Sequence, residues 1–208
     1  MQEYVMDFVD IFPKTIGVGE LKSLTPEIML QARALIDQSM SVQIAGDGGY
    51  TADQQLLNHP LFAEVRQEIL KYCRDFADAV SHIVEDFHIC NSWGNVVKFG
   101  ENIHYHVHCN SYISGSFYLT EGSAFNIMNR NFRDASSFSP AIRPGDNPRA
   151  MESITINPKP CRIILFPSGL QHCVLPSQSN ASRYSIAFNV IPIGKIGPPT
   201  GLMEIRPL

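Results

Sequence analysis

His104-Tyr105-His106-Val107-His108-Cys109-Asn110-Ser111 carries three of the chain's seven histidines, each two residues from the next. On an extended strand, residues i and i+2 point to the same face. The spacing therefore predicts three imidazoles side by side. Three such rings are costly to bury without partners, and neutral imidazole is the commonest side-chain ligand for mid-range transition metals. The next stretch, Tyr112-Ile113-Ser114-Gly115-Ser116-Phe117-Tyr118-Leu119-Thr120, alternates in polarity and reads as a strand. The histidines thus enter a β-sheet.

Outward from this stretch the chain divides by texture. Upstream, Thr25-Pro26-Glu27 has the form of a helix start, with Thr as cap, Pro at the first position and Glu in the first turn. A second helix is predicted from His59-Pro60, because Phe62, Val65, Ile69, Tyr72, Cys73, Phe76, Ala79, Val80 and Ile83 recur at intervals of three and four. From about residue 86 onward the pattern is short strands separated by turn residues, ending with Arg183 to Val190. Two helices followed by many strands predict an α+β fold, a two-sheet roll or barrel with the helices packed on one sheet.

A chain of 208 residues, 44% hydrophobic and 17% charged, is expected to form one domain with a sizeable core. The net charge of -4 argues against nucleic-acid binding, which needs a basic patch. No stretch approaches the roughly 18 apolar residues of a membrane span, and Met1-Gln2-Glu3-Tyr4 lacks the basic start of a signal peptide. The five cysteines are scattered without a CxxC, which fits free thiols in a reducing, cytoplasmic compartment.

A metal centre on the histidine strand needs a ligand from elsewhere. His172 is the candidate, because it follows a buried strand and a Pro-Ser-Gly turn. Either His108 or His104 then completes the set with His106. The last strand has two contrasting faces. Tyr184, Ile186, Phe188 and Val190 form a core face, whereas Arg183, Ser185, Ala187 and Asn189 suit a wet cavity. Arg183 and Ser185, two apart, make a clamp for a carboxylate. On the strand from 112 to 120, Ser114, Ser116, Tyr118 and Thr120 share the polar face.

His106-x-His108, Asn110-Ser111, Ser114-Gly115, Phe166-Pro167-Ser168, His172 and Arg183-x-Ser185-x-x-x-Asn189, in that order, resemble the 2-oxoglutarate/Fe(II)-dependent oxygenases of bacteria and phages. Ser92-Trp93 and Asn95 resemble the first core strand of that family, and the likeness spans roughly residues 90 to 191. The resemblance implies a double-stranded β-helix (a cupin-like jelly-roll) with Fe(II) at one mouth. It implies His106, His108 and His172 as metal ligands, Arg183 and Ser185 as the anchor of 2-oxoglutarate, and Tyr118 as a further contact. The implied chemistry is oxidative decarboxylation of 2-oxoglutarate with O2, coupled to hydroxylation of an unactivated C–H. One departure stands out: the usual triad carries Asp or Glu where this chain has His108.

The expected organisation is a single domain over 1–208, with helical support at 1–85, a jelly-roll core at 86–192 and an extended tail at 193–208. The substrate, a small molecule or a peptide, is expected to meet Asn95 and the polar loop from 129 to 152, with Arg130 and Arg133. Low charge and the Pro/Gly-rich tail leave room for a homodimer, and a phage-encoded protein of this kind would act in the host cytoplasm. Two other classes fit the same residues: a cupin-like metal enzyme that does not use 2-oxoglutarate, and a non-enzymatic β-sandwich whose histidines are structural.

Overall fold

The computed structural model describes residue 10 and residues 13–41, 47–129, 147 and 151–207. Strand β1 (Gly17–Glu20) precedes helix α1 (Pro26–Gln38). The Thr25 side chain accepts the Ile28 N–H at 3.3 Å, as the Thr-Pro-Glu signal implies, and α1 buries Ala32 and Ile36. After the short β2 (Gly49–Tyr50), His59-Pro60 opens a 3-10 turn, Pro60–Phe62, rather than the helix itself. His59 Nδ1 accepts the Leu61 N–H at 3.2 Å there, and helix α2 (Ala63–Ala79) follows. Its buried stripe is Val65, Ile69, Cys73 and Phe76.

The β region comprises β3 (Asp86–Val97), β4 (Ile103–His106), β5 (Ile113–Tyr118), β6 (Phe125–Met128), β7 (Ser153–Ile156), β8 (Arg162–Pro167), β9 (His172–Val174), β10 (Arg183–Ile196) and β11 (Met203–Ile205). These strands form two antiparallel sheets. The larger has the order β1-β8-β5-β10-β3-β2, with β11 on the far end of β10; the smaller has the order β4-β9-β6-β7. Consecutive strands alternate between the sheets from β3 to β10 except at β6–β7, which is the winding of a double-stranded β-helix.

The faces of the larger sheet differ as period two requires. Ile113, Phe117, Ile163, Leu165, Ile186, Phe188 and Val190 join Ile36, Val65, Ile69 and Phe76 of the helices in the main core. At Gly94 a Cβ would stand 2.4 Å from Ile36 Cγ1, so α1 can lie here only against a residue without a side chain. The opposite face points at the smaller sheet. There a second cluster, Tyr118, Phe125, Ile127, Ile164, Phe166 and Leu170, closes only part of the space. The rest is the cavity described next. No helix among the described residues is long and apolar enough to cross a membrane.

Candidate active site

His106 ends β4 and His172 begins β9, and the two are directly paired across the smaller sheet. Their ring centroids are 4.3 Å apart. A register shift between Ile103 and His106 interrupts the ladder. An extra residue in a strand breaks its two-residue alternation, and His104 consequently leaves the face that His106 occupies. The His104 side chain is 76% exposed, and its Nε2 lies 3.1 Å from Asp47 Oδ1. The expectation of three histidines on one strand face is corrected accordingly. His108 reaches the other two from a loop beyond the strand end, where its N–H donates to the Ser168 carbonyl at 2.9 Å. Its ring lies 5.1 Å from that of His106 and 5.1 Å from that of His172.

One potential ligand atom from each of His106, His108 and His172 lies within 4.8 Å of the others. Among the described residues no carboxylate joins this group. The hydrogen bonds assign two of the tautomers. His106 Nδ1 donates to the His104 carbonyl at 2.8 Å, and His172 Nδ1 donates to the Leu170 carbonyl at 2.8 Å. An imidazole that donates from Nδ1 presents a bare Nε2 to a metal. Burial pushes the His172 pKa down to about 3, against the pull of the Leu170 carbonyl and with help from the neighbouring imidazoles. Burial and His106 push His108 down to about 4. Both are therefore neutral near pH 7 and have lone pairs to give. Phe166 and Phe125 wall the His172 ring at 4.6 and 5.2 Å, and Trp93 lies 5.8 Å from His108.

The histidines line one cavity, of about 340 Å³, whose lining also includes Asn95, Ser116, Arg183 and Ser185. Arg183 is only 1% exposed. Its Nη1 donates to Ser185 Oγ at 3.0 Å, and its guanidinium lies 5.0 Å above the Tyr118 ring. Among the described residues, Nε of Arg183 and the Tyr118 hydroxyl are both buried without a hydrogen-bond partner, and no salt bridge reaches Arg183. A buried guanidinium without an anion is costly. Arg183 is seated by Gly122, which has φ +144; a Cβ there would stand 2.6 Å from Arg183 Cβ.

Residues 91–189 match the model of the family described as "Putative 2OG-Fe(II) oxygenase". This stretch is similar to the 2OG-Fe(II) oxygenases. Solved structures agree in fold. The chain has a TM-score of 0.54 and 13% identity with the viral collagen prolyl hydroxylase of Paramecium Bursaria Chlorella virus-1, covering 86% of this chain and 96% of that one. With a prolyl-4-hydroxylase of Pseudomonas putida the TM-score is 0.57, the identity 14%, and the coverage 87% and 94%. HygX of Streptomyces hygroscopicus, solved with nickel, 2-oxoglutarate and hygromycin B, gives 0.57, 14%, and 86% and 83%. No curated protein matches the sequence.

Of the residues singled out in the sequence, the fold gathers His106, His108, His172, Arg183, Ser185 and Asn95 around one cavity, with Tyr118 against Arg183. Arg130 and Arg133 lie outside the described residues. The wall supplied by Phe125, and Asp47 beside His104, had no local signal: each is placed by strand pairing or by a distant loop.

Proposed function

We propose that His106, His108 and His172 hold Fe(II), and that Arg183 and Ser185 hold the far carboxylate of 2-oxoglutarate. The observation that carries this reading is the buried Arg183, whose Nε has no partner among the described residues, in the same cavity as three converging imidazoles. A carboxylate would accept from Arg183 and Ser185 together, and the orphaned Tyr118 hydroxyl is a further donor for it. Three imidazole donors suit iron, and the bare Nε2 atoms of His106 and His172 are already aimed by backbone carbonyls.

When bound, iron and 2-oxoglutarate supply an oxidative decarboxylation, consuming O2 and yielding succinate and CO2, that is coupled to hydroxylation of a substrate C–H. The chain's own residues orient and shield. Phe125 and Phe166 pack the His172 ring and exclude water from it. Trp93 donates its indole N–H to Asn95 Oδ1 at 3.2 Å, which fixes both beside the cavity, where a small molecule or a peptide side chain would meet them.

The lack of a carboxylate beside the three imidazoles among the described residues favours a second reading, a metal enzyme of the same fold that does not use 2-oxoglutarate. The two separate on Arg183. Anaerobic titration of the protein with Fe(II) and 2-oxoglutarate is expected to give a weak visible charge-transfer band from the chelate, and Arg183→Ala is expected to lose it while still binding iron. Iron binding with no band in the unaltered protein favours the second reading, and no metal binding at all makes the histidines structural.

A further inference from the structure

Among the described residues, the side-chain hydrogen bonds of four residues of the ordered sequence pattern, Ser111, Ser114, Ser168 and Asn189, reach neither the imidazoles nor Arg183. The four touch one another. Ser111 Oγ lies 2.8 Å from Ser168 Oγ. Ser114 Oγ lies 2.9 Å from Ser168 Oγ and 2.7 Å from Asn189 Oδ1. A hydroxyl has a single proton to give. Asn189 Oδ1 can only accept, so Ser114 donates to it, Ser168 donates to Ser114, and Ser111 donates to Ser168. The chain is consistent from end to end, and Ser114 and Ser168 are buried at 1% and 2% exposure.

Ser168 directs its other polar groups to the same place. Its carbonyl accepts the His108 N–H at 2.9 Å, and its N–H donates to the Tyr112 carbonyl at 3.1 Å. It thus grips both ends of the segment from His108 to Tyr112, and its hydroxyl holds Ser111 within that segment. Two residues on, the Leu170 carbonyl orients His172. The turn after β8 therefore fixes one ligand through the loop and another directly.

We propose that Ser168, with Ser111 and Ser114, is the positioning device for His108. An imidazole carried on a loop lacks the ladder that holds His106 and His172, and the hydroxyl chain anchors that loop to β5 and β10. This inference rests on the metal assignment above.

Anaerobic equilibrium dialysis of the full chain against Fe(II) tests it in the unaltered protein, Ser168→Ala, His108→Ala and the double variant. Ser168→Ala is expected to weaken iron binding about 10- to 100-fold, the size typical of losing a group that orients a ligand. His108→Ala is expected to weaken it further, and the double variant to be no weaker than His108→Ala alone, because the hydroxyl then has no ligand to position. Should Ser168→Ala not fold, the partly exposed Ser111→Ala is expected to show the same dependence on His108 at about threefold. Equal losses with and without His108, or no loss, overturn the proposal. Failure of the unaltered protein to bind Fe(II) overturns instead the metal reading beneath it.

Discussion

Strands β5 and β10 each present two largely buried faces that are chemically opposite. Towards the helices they offer Ile113, Phe117, Ile186, Phe188 and Val190, all 0% exposed. Towards the smaller sheet they offer Ser114, Arg183 and Ser185, each 1% exposed. Burial stabilises the first set through area removed from water, about 25 cal/mol per Å². It penalises the second set unless every polar atom finds a partner. Part of the second face does find one, in the Ser111-Ser168-Ser114-Asn189 chain. Arg183 Nε and the Tyr118 hydroxyl do not, among the described residues. One face of the same strands is thus complete in itself, and the other keeps two polar atoms without a partner among the described residues.

The largest expected effect belongs to the first face. Phe188→Ala should cost about 3–5 kcal/mol in chemical denaturation, the range for a large aromatic lost from a core. Arg183→Met should leave that stability unchanged or raised, since it removes an unpaired buried charge, yet weaken 2-oxoglutarate binding about 100-fold or more in the anaerobic titration. A loss of stability like that of Phe188→Ala would break the comparison, because the guanidinium would then be structural. Gly122→Ala sharpens it without touching the charge. Its new Cβ would push on Arg183, and the KM for 2-oxoglutarate is expected to rise about 10-fold while Fe(II) affinity, measured by dialysis, holds. Ser185→Ala removes one hydroxyl from the clamp, with an expected rise of about 3- to 10-fold in the same KM.

What was legible in the sequence follows from the range of each interaction. The two faces of β5 and β10 could be read because period-two alternation is local, and so could the cap of α1. His106, His172, Arg183 and Ser185 stood out because an Arg or His on a strand face needs a reason to be buried. The bulge before His106 had no such signal, since it depends on the register of β4 against β9. It sent His104 to Asp47 and left the third position to a loop. The role of Ser168 was equally hidden: its hydroxyl meets Ser111 across 57 residues, and Ser114 meets Asn189 across 75. A serine in a turn after a strand reads locally as a turn former.

Trp93 is the single tryptophan among the 208 residues. It sits half-buried in the cavity wall, with its indole N–H bonded to Asn95 and its ring 5.8 Å from that of His108. All indole emission from this protein therefore originates beside the third imidazole. A transition metal held there quenches that emission, so the intensity of an unlabelled sample reports the occupancy of one centre, and a stopped-flow trace of it times the filling of the site.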